Sequence, residues 1–117
     1  MGEIIRHGVT RRWSDAVVHG GVAYFVEVPD DMTQVPAGQF QQIFSQVEMR
    51  LRLVGSNPSR LLQVLIYLPH PQDLPLFNEM WDAWVPAGMA PSRACIHAAL
   101  ANPACRIELI LTAAVLA

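Results

Sequence analysis

Charge is scarce in this chain. Only 15% of its 117 residues are Asp, Glu, Lys or Arg, and the net charge is −2. The basic residues are scattered, with Arg11-Arg12 a pair rather than a patch, so there is no electrostatic footprint for nucleic acid. Cysteine is equally sparse: Cys95 and Cys105 are too few for a disulfide scaffold and lack CxxC spacing, which points to a reducing, cytoplasmic compartment. The four histidines, His7, His19, His70 and His97, form no HxH, HxxxH or HExxH arrangement, so no metal is expected. No glycine-rich phosphate loop exists. No stretch approaches the roughly 18 uncharged apolar residues of a membrane span, and the final run 107–117 already contains Glu108. The first residues lack the layout of a secretory signal, and Arg6 stands where a myristoylation motif wants Ser or Thr.

What the chain does have is apolar surface: 52% of its residues are hydrophobic and its mean hydropathy is +0.26. That exceeds what one soluble domain of this length needs for its own core. With a membrane span set aside, the surplus points to a single domain, residues 1–117, that buries surface against further copies.

Periodicity gives the elements. A short strand is expected over residues 3–6, and a hairpin over 15–19 and 22–28, because Gly20-Gly21 accepts the positive φ angles of a tight turn. In its second strand Ala23, Phe25 and Glu27 share one face, and Tyr24, Val26 and Val28 the other. Residues 39–54 read as a helix whose apolar stripe is Phe40, Ile43, Phe44, Val47, Leu51 and Val54, with Arg50 off the stripe and Gly55 as a left-handed C-cap. The near-continuous apolar run 61–68 suggests a strand covered on both faces. A second helix follows, with Asp73 as N-cap, Pro75 in its first turn, Phe77, Met80, Trp81 and Trp84 buried, and Pro86-Ala87-Gly88 closing it. Strands over 92–100 and 106–116, joined by a turn at 101–104, complete the order β-β-β-α-β-α-β-β. Hairpins at both ends and helices between them predict an α+β fold: one mixed sheet with two helices on one face.

Two late strands carry ionisable residues in apolar surroundings. Arg93, Cys95 and His97 share one face of the first, opposite Ala94, Ile96 and Ala98. In the second, Glu108 lies opposite Ile107, Leu109 and Leu111. Helices over the apolar faces would leave Arg93 and Glu108 lining one polar site. Arg93 suits a carboxylate ligand bidentately, and reads equally as half of an ion pair with Glu108 or another acid. Glu108 is correspondingly a general base, a holder of water, or the other half of that pair. Cys95 reads as a structural thiol more readily than as a nucleophile, since His97 points alongside it.

Four segments together resemble a known family: Arg12-Trp13-Ser14-Asp15-Ala16-Val17, Leu76-Phe77-Asn78-Glu79-Met80-Trp81, Ala90-Pro91-Ser92-Arg93-Ala94-Cys95 and Arg106-Ile107-Glu108. The chain resembles the RidA/YjgF/UK114 family of reactive-imine deaminases, and within it the YoaB branch, which shares the stretch at residues 81–85 and Gly88. The resemblance implies a chorismate-mutase-like fold in a homotrimeric barrel with clefts between subunits. It also implies hydrolysis of 2-imino acids to 2-oxo acids and ammonia, without cofactor or metal. Arg93 would hold the substrate carboxylate, the backbone at Cys95 would meet the imine end, and Glu108 would position water. Trp13, Glu27 and Asn78 would line the cleft. The alternatives are a trimer that binds a small carboxylate without turnover, and an interaction protein whose Arg93 pairs internally with Glu27 or Glu108. Two positions depart from the family pattern: Trp13 replaces a Tyr, and Val26-Glu27 stands where a strand usually ends in Ser/Thr-Gly. A Glu27 pointing into the cleft would compete with substrate for Arg93.

Overall fold

The computed structural model describes residues 2–116. Six strands form one sheet: β1 (Ile5–His7), β2 (Ala16–His19), β3 (Val22–Glu27), β4 (Leu61–Tyr67), β5 (Ser92–Ile96) and β6 (Glu108–Ala114). The helices α1 (Pro36–Leu53) and α2 (Leu74–Trp84) complete the α+β architecture. Strand order is β1-β2-β3-β6-β4-β5, with β4 and β5 parallel and every other pair antiparallel.

The Gly20-Gly21 turn forms as its sequence requires. Both residues have positive φ, 59° and 80°, and the flanking strands pair from Ala16↔Phe25 to His19↔Val22. Helix α1 starts earlier than its apolar stripe indicates, because Pro36 is accommodated in the first turn where its missing N–H costs nothing. Gly55, at φ 77°, ends it: the Ser56 N–H donates to the Leu51 carbonyl across that left-handed residue.

Three expectations are corrected. The last two strands do not form a hairpin. Strand β6 inserts between β3 and β4, while β5 lies parallel to β4 at the sheet edge. The strand with fully buried Leu109 and Leu111 thereby takes a central position with neighbours on both sides. Asp73 makes no capping hydrogen bond; its carboxylate takes a forked pair from Arg106, at 2.8 and 2.9 Å, two ionic hydrogen bonds where a cap would offer one. Strand β4 is covered on one face only: Val64 and Ile66 are buried, whereas Leu62 is 46% exposed.

The core lies between one sheet face and the two helices. Phe25, Val64, Ile66, Leu109 and Leu111 come from the sheet, and Phe40, Phe44, Val47, Leu51, Phe77 and Trp81 from the helices. Phe77 of α2 joins the two helices by edge contact with Phe40 and stacking on Phe44 of α1. Gln39, 1% exposed, ties the loops to this core. The two hydrogens of its Nε2 are shared among the carbonyls of Met32, Gln34 and Ala104, and its Oε1 accepts from the Arg106 N–H. The opposite sheet face is open, with Tyr24 and Val26 each about half exposed and Ile96 38% exposed.

Candidate functional site

Register on β4 decides where Arg93 points. Arg93 and Cys95 pair with Val64 and Ile66, the two fully buried residues of β4, so both lie on the helix-covered side. Ala94 and Ile96, expected beneath the helices, face the open side instead. Arg93 extends along α2: its guanidinium carbon sits 5.2 Å from the Trp81 ring centroid and 5.8 Å from that of Phe77. Its Nη2 donates to Asn78 Oδ1 at 2.5 Å. Two aromatic rings and one amide therefore orient a side chain that remains exposed. Among the described residues it makes no ion pair with an acid.

Cys95 lies beside Arg93 on the same face, half-buried. Burial pushes its thiol pKa up, and the nearby Arg93 charge only partly opposes this. His97 is turned away as a base: its Nδ1 donates to the Leu68 carbonyl at 3.0 Å. Nucleophilic cysteine chemistry thus finds no support, whereas the backbone at Cys95 lies on an edge strand paired only with β4.

Glu108 does not join Arg93 within one chain. It alternates with buried Ile107 and Leu109, so it projects from the open face, opposite Tyr67 of β4. The expected single polar site is therefore split across the sheet.

Trp13 and Glu27 lie together elsewhere, at a groove of about 510 Å³ also lined by Asp15, Val26, Val28 and Arg50. The exposed Trp13 is carried on the β1–β2 loop. Glu27 is 4% exposed and faces α1: its Oε2 accepts from Arg50 Nε at 3.0 Å and its Oε1 from Gln46 Nε2 at 3.2 Å. The partner of Glu27 within the chain is therefore Arg50, not Arg93. Arg50 is the residue that reading the helix stripe alone passes over. The signal was available: Glu27 continues the inward Ala23, Phe25 row, and an inward acid calls for a cation from the covering helix. Among the described residues no group of three or more His, Cys, Asp and Glu is placed to hold a metal, and no helix is long and apolar enough to cross a membrane.

Comparison with known proteins addresses the whole arrangement. The family model for endoribonuclease L-PSP matches residues 5–115. A RutC family protein of Haemophilus ducreyi is 38% identical, covering 96% of this chain and 97% of its own. The RutC family protein YoaB of Escherichia coli is 37% identical over 96% of this chain and 98% of its own. The chain belongs to the YjgF/RutC/L-PSP family. Among solved structures of that family, a YjgF-family protein from Neisseria meningitidis superposes with a TM-score of 0.94 at 35% identity, covering 98% of this chain and 97% of the other. A protein from Pseudomonas aeruginosa superposes with a TM-score of 0.93 at 37% identity, over 97% and 99% of the two chains. Membership in the YjgF/RutC/L-PSP family bears out both the resemblance and the mixed-sheet α+β fold.

Proposed function

We propose that this protein hydrolyses small reactive 2-imino acids to 2-oxo acids and ammonia in clefts between copies of the chain. The observation that supports this most is Arg93, an exposed guanidinium held in place by Asn78, Phe77 and Trp81, with no acid on it among the described residues. A preoriented cation of this kind receives a carboxylate without first giving one up.

In the proposed reaction Arg93 grips the substrate carboxylate and Glu108 orients a water toward the C=N carbon. Addition gives a tetrahedral carbinolamine, and its collapse expels ammonia and leaves the 2-oxo acid. The protonated imine is already electrophilic, so positioning and electrostatics carry the rate. Arg93 and Glu108 leave opposite faces of one sheet, and a cleft between copies brings both to one ligand without distorting either strand. The open, partly apolar sheet face supplies surface for such packing, as the trimer of the family resemblance requires.

The test is the decay of an imine generated enzymatically, measured against buffer and semicarbazide controls. Wild type is expected to accelerate it, and Arg93→Ala to abolish the acceleration while sedimenting as the same oligomer. No acceleration by wild type would end the catalytic reading. The separation of Glu108 from Arg93 favours one alternative, a small-carboxylate binding protein without turnover. Calorimetric binding of 2-oxobutyrate with no imine hydrolysis would establish that instead.

A further inference from the structure

The loop that carries Trp13 is secured at both ends. At its tip Thr10 Oγ1 accepts from the N–H groups of Arg12 and Trp13, and the Thr10 N–H donates to the Trp13 carbonyl at 2.7 Å. At its base the Asp15 N–H donates to the His7 carbonyl at 2.8 Å. Gly8, with φ 61°, folds the backbone so closely over Asp15 that a Cβ there would run into the Asp15 carboxylate. That carboxylate reaches Arg50 Nη1 at 3.7 Å, and Arg50 Nε meets Glu27 at 3.0 Å. One guanidinium on α1 thus bridges an acid at the end of β3 and an acid at the base of the loop.

We propose that Glu27, Arg50 and Asp15 form an ionic clasp that positions the Trp13 loop as one wall of the groove. Glu27 and Arg50 are positioning residues here and act through the loop. Burial makes the arrangement one-directional: with Glu27 almost wholly out of water, Arg50 is committed to it, and Asp15 is drawn to the fork of the guanidinium that remains. Glu27 is then no competitor for Arg93. It holds the loop through Arg50, a task a glycine at that position could not perform. That Trp13 faces a ligand rests on the function proposed above; the clasp itself does not.

Amide hydrogen exchange across residues 8–15 tests the clasp, in wild type, Glu27→Gln and Asp15→Asn. Asp15 is 40% exposed, so its variant leaves the core intact even if Glu27→Gln folds poorly. Exchange at Arg12, Trp13 and Asp15 is expected to rise about tenfold in either variant, with core strands unchanged, the signature of local rather than global opening. A pair that merely stabilised the fold would instead raise exchange throughout. Loop exchange within about twofold of wild type in Asp15→Asn would overturn the proposal. Calorimetry with 2-oxobutyrate runs in parallel. Asp15→Asn is expected to weaken binding about tenfold, and Arg93→Ala about 100-fold with loop exchange unchanged. If wild type binds no 2-oxobutyrate, the carboxylate-binding alternative fails, imine decay judges the catalytic reading, and exchange alone still judges the clasp.

Discussion

Arg50 and Arg93 both belong to the helix-covered side of the sheet, and their surroundings are opposite. Arg50 meets two carboxylates, one of them buried. Arg93 meets a neutral amide and two aromatic faces, and no acid among the described residues. Residue type is the same, and the partner sets the task. A guanidinium facing buried acid is committed to the fold, because breaking it away strands a charge. A guanidinium oriented by neutral groups keeps its charge for an incoming anion.

The comparison breaks first at Arg50 if it is wrong. Arg50→Ala leaves the buried Glu27 carboxylate with Gln46 alone, and is expected to cost about 3 kcal/mol of stability in urea unfolding. A loss of a few tenths would mean that Glu27 finds water or a proton easily, and Arg50 would no longer differ from a surface arginine. Arg106 provides an intermediate case. Its forked pair with the 7% exposed Asp73 carboxylate predicts about 2 kcal/mol for Asp73→Ala by the same measurement.

Arg93→Ala lies at the other extreme. One exposed hydrogen bond and two cation–π contacts predict a stability cost of about 1 kcal/mol or less. Its effect should fall on the ligand instead, about 100-fold in 2-oxobutyrate affinity, as expected when a forked charge-assisted pair is removed. An unfolding cost as large as that of Arg50→Ala would erase the distinction between the two arginines.

Much of this contrast was legible in the residues, and the limits of legibility have physical causes. Local signals held: the Gly20-Gly21 turn, the α1 stripe, the Gly55 cap and the inward parity of Glu27 each depend on neighbours a few residues away. Alternation along β5 separated Arg93 and Cys95 from Ala94 and Ile96, but alternation does not say which face the helices cover. That was decided by parallel pairing with β4, contacts made across nearly thirty residues of chain. The apolar pair Ala94 and Ile96 faces outward in the single chain, which the apolar pattern alone would not suggest. The same non-local choice moved β6 to the sheet centre and sent Glu108 and Arg93 to opposite faces. The candidate site residues were nameable from their resemblance to a family, while their grouping into the Arg93 corner, the Trp13 groove and the open-face Glu108 depended on the fold.

The smallest expected effect sharpens the reading of Arg93 as an uncommitted charge. Cys95 shares its face, and burial raises the thiol pKa while Arg93 lowers it by the smaller amount. The thiol is therefore protonated at neutral pH, and alkylation by iodoacetamide near pH 7.5 should be slower than for a free thiol, rising as pH passes the raised pKa. Removing the guanidinium takes away the charge that favours thiolate, so Arg93→Ala should raise the pKa further and slow alkylation a few-fold more. If Arg93 were neutralised by an acid of its own, its field at Cys95 would largely cancel and the substitution would leave the rate unchanged. Comparing alkylation rates of wild type and Arg93→Ala across pH 7 to 10 therefore reads the charge of Arg93 directly, without a ligand or a turnover assay.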